Sequence, residues 1–276
     1  MSLGTTRRTC RVEGHSLAYY RQGGGEVLLL VHGITTYSFI WRRVFPILAG
    51  SFDTIAVDLL GCGESDKPLD VSYGLRAHAD RLVVLARELG IDRFHLVGHD
   101  LGGGIGQLLA VHHPGLLRSL VLVNTVGYDY WPVQPVSAIR APVIREILMA
   151  AVDLGVFRYI VRRGMHHPDR VNPELMELFM KPLRTGAGRK ALMHFARCLD
   201  NRELTAITED LRRLDLPVLV IRGEEDVYLS RIISERLAGE IPSARLMTVP
   251  AAGHFIQEDE PETLGAAIRD FCGRIP

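Results

Sequence analysis

The chain reads as an α/β protein, with a mostly parallel sheet flanked by helices and one long helical insertion. Short aliphatic runs alternate with segments of helical periodicity at βαβ spacing. Several of the runs are apolar without alternation, as in strands buried on both faces. The rhythm stops after Asn124 and resumes at Pro217.

The elements follow in order. His15 to Tyr20 reads as a strand, and Glu26 to His32 as a buried one ended by Gly33. Further strands are expected at Asp53–Asp58, Phe94–His99 and Arg118–Asn124, with helices at Phe39–Leu48, Leu75–Leu89 and Gly103–His112 between them. Right-handed crossovers then put helices on both faces of the sheet. Residues 128–214 hold no aliphatic strand run and look helical, punctuated by prolines. After them, Pro217–Gly223 and Ala244–Pro250 read as strands, and Arg231–Leu237 and Glu262–Cys272 as helices. The expected organisation is a core of residues 1–127 and 215–276 with a helical cap at 128–214.

Composition narrows the function. The 276 residues carry 32 Lys+Arg against 32 Asp+Glu, so no electrostatic argument favours a nucleic-acid or membrane-surface partner. Hydrophobic residues at 47% and charged residues at 23% exclude global disorder. Cys10, Cys62, Cys198 and Cys272 form no CxxC pair, so neither a disulfide scaffold nor a zinc site is expected. No apolar run follows the N-terminal arginines and none has the length of a membrane span, so a cytoplasmic protein with reduced thiols is expected.

The chemistry concentrates at Val97-Gly98-His99-Asp100-Leu101-Gly102-Gly103-Gly104, where a buried strand meets a helix. A nucleophile elbow needs a G-x-Nuc-x-G frame, because the residues flanking so tight a turn nearly touch. The helix N-terminus favours negative charge at the same point. No G-x-G-x-x-G follows the strand and no P-loop lysine is present, which argues against a nucleotide site. An acid and a histidine follow in the order such an elbow requires: Asp226 in Gly223-Glu224-Glu225-Asp226, and His254 in Ala252-Gly253-His254-Phe255. Each stands just past a parallel strand, at the edge where loops converge. Two N–H groups of an oxyanion hole are expected from Leu101 and from Ile34, in the loop His32-Gly33-Ile34-Thr35.

With His32-Gly33, the loop Asp58 to Pro68, the elbow and the His254 loop, the chain resembles α/β-hydrolase-fold enzymes over nearly its whole length. The resemblance implies an α/β-hydrolase fold with the helical cap inserted after the sixth strand. Esterases, lipases and peptidases of that superfamily usually carry serine where Asp100 stands. Aspartate resembles the haloalkane dehalogenases, fluoroacetate dehalogenases and soluble epoxide hydrolases. The stretches Thr36 to Arg42 and His254 to Pro261 look most like haloalkane dehalogenases. Chemistry agrees with the aspartate. A carboxylate attacking an ester gives a labile anhydride, whereas attack on an sp³ carbon gives a stable alkyl ester. His254 would then activate water against that ester. The expectation is a cofactor-free and metal-free hydrolase acting on a small neutral electrophile, a haloalkane or an epoxide.

The leaving group is not specified. Dehalogenases of this fold typically place tryptophan after the nucleophile and asparagine after His-Gly; here Leu101 and Ile34 stand there. Glycines replace the arginines that fluoroacetate dehalogenases carry beyond the nucleophile, and the proline loop of epoxide hydrolases is missing. Trp41 and Trp131 are candidate halide donors, and the cap residues Tyr128, Tyr130 and Tyr159 candidate epoxide acids; packing of cap on core is the other reading of these aromatics. Asn124 stands where some dehalogenases carry the triad acid, and an amide cannot replace it. Two other functions stay open: Asp100 as a base for direct water attack on another small molecule, and a non-catalytic ligand-binding member of the fold.

Overall fold

The computed structural model describes residues 3–131 and 155–275. Its single sheet has eight strands: β1 (Arg7–Val12), β2 (His15–Gln22), β3 (Val27–Val31), β4 (Asp53–Val57), β5 (Phe94–Asp100), β6 (Leu117–Thr125), β7 (Val218–Gly223) and β8 (Ala244–Val249). Their spatial order is β1-β2-β4-β3-β5-β6-β7-β8. β2 runs antiparallel to β1 and to β4, and every other pairing is parallel. The mostly parallel α/β sheet is therefore observed as expected. β1 is the strand that the apolar pattern missed. Its sequence RRTCRV is exposed along most of its length, as an edge strand permits.

Strand alternation explains how one sheet supports two cores. Leu29 and Val31 of β3 join Leu96, Leu122 and Val220 on one face, under α2 (Leu75–Glu88), α3 (Leu101–His112) and α9 (Arg231–Glu240). Leu28 and Leu30 join Val97, Val121 and Ile221 on the other, under α1 (Phe45–Ala49) and α11 (Pro261–Cys272). A side-chain period of two places consecutive apolar residues on opposite faces, so an unbroken apolar run fills both layers. The helix expected over Phe39–Leu48 divides into a 3₁₀ turn (Ser38–Trp41) and the short α1, with Pro46 in its first turn.

Between β6 and β7 the described residues form helices and turns: α4 (Val156–Arg163), α5 (Pro173–Met180), α6 (Gly186–Cys198), α7 (Arg202–Thr205) and α8 (Thr208–Leu211). Asn172 accepts from the Leu175 N–H at the start of α5, and Thr185 from the Gly188 N–H at the start of α6, so both helices are capped by side chains. Phe157, Leu175 and Phe179 extend one core layer, while Phe195, Leu204 and Leu211 extend the other. The helical segment thus sits astride the sheet's carboxyl edge. The part of the expected cap at 132–154 lies outside the described residues. α10 (Ile256–Asp259) lies between β8 and α11. Among the described residues no helix is long and apolar enough to cross a membrane.

Candidate active site

β3 lies between β4 and β5, so the chain order reverses at this strand and opens a crevice at its carboxyl end. The elbow occupies that crevice. Asp100 ends β5 with φ 54° and ψ −117°, a backbone conformation that a non-glycine residue holds only under constraint. The constraint is visible in its neighbours. A Cβ on Gly98 would strike the Gly102 backbone, and a Cβ on Gly102 would strike the carbonyls of Val31 and His32. α3 then starts directly at Leu101.

The Asp100 carboxylate is already held by backbone donors. The Ile34 N–H donates to Oδ1 at 3.1 Å, and the Leu101 N–H also bonds the carboxylate. Oδ2 faces His254, with Nε2 at 3.9 Å. The other imidazole nitrogen, Nδ1, donates to Asp226 Oδ2 at 3.1 Å. Asp226 Oδ1 accepts from the Tyr228 and Leu229 N–H groups at 2.8 and 3.2 Å, which fixes the carboxylate against the imidazole. The structure therefore brings together Asp100, Asp226, His254, Ile34 and Leu101.

Burial sets the charges. Asp100 is buried, and this raises its carboxyl above the ordinary range even though His254 and the two N–H donors oppose the shift. Burial also works against ionised Asp226, but His254 and the Tyr228 and Leu229 N–H groups outweigh it and hold the carboxyl low. For His254, burial opposes protonation, and Asp226 and then Asp100 overcome it, so the imidazole titrates above its usual value. His99 packs beneath, its ring 4.8 Å from that of His254, and burial followed by the neighbouring imidazole pushes it down to about 3. It stays neutral and donates from Nε2 to the His254 carbonyl at 3.0 Å.

The surrounding loops are pinned by buried polar groups. His32 Nδ1 donates to the Gly33 carbonyl at 2.8 Å and Nε2 accepts from the Leu59 N–H at 3.0 Å, which locks the Ile34 loop to the one after β4. Asn124 donates to the carbonyls of Gly253 and His254 and accepts from the Gly223 N–H, so the amide ties the two loops carrying His254 and Asp226. Asp259 accepts from Gly253 N–H at 2.9 Å and from the N–H groups of His166 and His167 at 2.9 and 3.0 Å. The Gly164 carbonyl accepts from His254 N–H at 2.7 Å. The helical segment is thus hydrogen-bonded directly to the His254 loop. Sequence reasoning missed Asp259 and Gly164. No local pattern marks Asp259, because two of its three donors, His166 and His167, lie 93 and 92 residues away in the chain.

Of the five aromatic residues named as candidates, Tyr128, Tyr130 and Trp131 engage groups other than Asp100. The Tyr128 hydroxyl donates to Glu240 at 3.3 Å, with the Arg236 guanidinium 3.7 Å from its ring. Tyr130 packs edge-on against Tyr128 and is exposed, and Trp131 Nε1 donates to the Tyr128 carbonyl. These contacts place Tyr128 and Tyr130 beside α9, and Trp131 is committed to the Tyr128 carbonyl. Trp41 is fully buried and stands edge-on to His99, 6.4 Å between ring centres. Tyr159 is exposed. A different aromatic set flanks His254: Tyr228, with ring centres 5.4 Å apart, and Phe255, which packs on Phe179.

Comparison with known proteins agrees with this architecture. The family model described as alpha/beta hydrolase fold matches residues 26–142. Haloalkane dehalogenase 2 of Mycobacterium tuberculosis is 30% identical over 92% of this chain and 91% of its own. The 2-hydroxymuconate semialdehyde hydrolase of Pseudomonas sp. is 31% identical, over 90% of this chain and 87% of its own. The crystal structure of an alpha/beta hydrolase fold protein from Burkholderia ambifaria superposes with a TM-score of 0.88 at 27% identity, covering 98% of both chains. Sheet, elbow and relatives converge: the chain belongs to the α/β-hydrolase family of enzymes.

Proposed function

We propose that the protein is a hydrolase that opens a carbon–halogen bond or an epoxide through an alkyl ester on Asp100. One observation carries the reading. The two oxygens of Asp100 have different surroundings, Oδ1 on the Ile34 N–H and Oδ2 toward His254, and the Leu101 N–H also bonds the carboxylate. Oδ2 attacks the substrate carbon, and the halide or the epoxide oxygen leaves with the electrons of the broken bond. Water then attacks the Asp100 carboxyl carbon while His254 Nε2 takes its proton and Asp226 steadies the imidazolium. Negative charge develops on Oδ1, where the Ile34 N–H already stands and for which the Leu101 N–H is the second donor, and collapse releases the alcohol. A carboxylate acting only as a base needs no such hole. In the same reading residues 128–214 form the cap that selects the substrate and excludes water.

His254→Gln blocks the second step. Incubation with a panel of haloalkanes and epoxides is then expected to give a protein mass increased by the alkyl group. Turnover by the unaltered enzyme without any adduct in the variant excludes the covalent route.

The pH profile follows from the imidazole. His254 must be neutral to take the proton, so activity rises with pH, with its midpoint above the ordinary imidazole value. Asp226→Asn removes the strongest attraction holding the imidazole up, so the acid limb of kcat is expected to move to lower pH while the rate falls. Stability runs the other way. Protonated His254 is favoured in the fold, so its contribution is present below the unfolded imidazole's range and is lost as pH rises through the raised value.

A further inference from the structure

A polar recess whose lining includes none of the Asp100 site residues lies at the seam between core and helical segment. It encloses about 540 Å³ and is walled by Arg42 and Arg43 from the core, Arg170, Glu174 and Leu178 from the helical segment, and Glu258 from α10. The Glu258 carboxylate is taken up by Arg42, which grips it with both terminal nitrogens. Arg43 and Arg170 approach from opposite sides of the seam, and both donate to a single acceptor, the Glu258 carbonyl, at 2.9 and 3.2 Å. Arg170 Nη1 also reaches the Asp259 carbonyl.

Two guanidiniums converging on one carbonyl repel each other, and the one remaining acid of the recess, Glu174, has no ion-pair partner among the described residues. Three cations therefore face two carboxylates. Each guanidinium carries five donors, and the named carbonyls occupy only Nη1 on Arg43 and Arg170. A planar fork of donors matches a phosphate or carboxylate oxyanion.

We propose that this recess binds a small oxyanion, the phosphate or carboxylate group of a metabolite, held between Arg43 and Arg170. Such a ligand relieves the repulsion and clamps the helical segment to the core. The clamp reaches the His254 loop through Asp259, which the same α10 turn carries and which holds Gly253, His166 and His167.

Inorganic phosphate and citrate serve as probes, titrated at constant ionic strength with sodium chloride as the balance and read by calorimetry and by thermal melting. Saturable binding with a rise in Tm is expected for at least one probe, and the responding probe tells phosphate from carboxylate. Arg43→Gln and Arg170→Gln should each weaken it at least tenfold, while Arg8→Gln, on the exposed edge strand β1, leaves it unchanged. A melting curve without anion checks that each variant folds, and Arg43→Lys, which keeps charge but not the fork, is expected to bind at an intermediate level. Absence of saturable binding of either probe, or equal binding by the Arg43→Gln and Arg170→Gln variants, overturns the proposal.

Discussion

Asp100→Asn is expected to lower kcat by about 10⁴-fold or more, the scale seen when one member of a catalytic unit is removed. The variant keeps the shape of the side chain, and an amide oxygen can still accept from the Ile34 N–H. It removes only the nucleophilic charge. Because burial already works against the ionised carboxyl, neutralising it costs the fold little, and the melting temperature should stay level or rise. Loss of turnover without loss of stability then separates chemistry from unfolding. The measurement is single-turnover kinetics beside calorimetry of the same preparation. A variant that retains a tenth or more of the wild-type rate removes Asp100 from the role of nucleophile. The same result counts against the base reading, since an amide is no base either; only the adduct on His254→Gln distinguishes those two.

The sheet and the grouping of Ile34, Leu101, Asp226 and His254 around Asp100 were legible because local rules determine them. Unbroken apolar runs specify strands buried on both faces, and the glycines flanking Asp100 specify a turn that nothing larger fits. Asp226 and His254 follow from chain order and from the convergence of loops at one sheet edge. What was not legible depends on contacts between distant segments. Edge strand β1 carries polar residues because most of its length is exposed. Tyr128, Tyr130 and Trp131 open the insertion just past β6, and the Arg236 and Glu240 side chains of α9, more than 100 residues further along the chain, engage Tyr128. Asn124 looked like a failed acid and is instead a clamp between two loops, because its amide both donates and accepts where a carboxylate only accepts.

The largest effect on stability is expected at Asp259, a residue that touches none of the reacting groups. Its carboxylate is buried and receives three backbone N–H bonds, from Gly253 next to His254 and from His166 and His167 in the helical segment. Asp259→Ala leaves all three donors without that acceptor. Unsatisfied buried donors cost about 1–3 kcal/mol each, and partial relaxation with entering water brings the expected total to about 3–5 kcal/mol. For a chain of this size that is a fall in Tm of about 6–20 °C. Asp259→Asn keeps one acceptor oxygen and should recover part of the loss. The second signature is local. Hydrogen exchange should quicken at His166, His167, Gly253 and His254 before the sheet is affected, because these amides lie at the seam the carboxylate closes. Activity should fall in step with that opening, since the His254 loop and the helical segment are then no longer held to the same side chain. A melting temperature within about 2 °C of wild type would correspond to under about 1 kcal/mol, and would mean that water replaces the carboxylate at no cost and that the seam is held elsewhere.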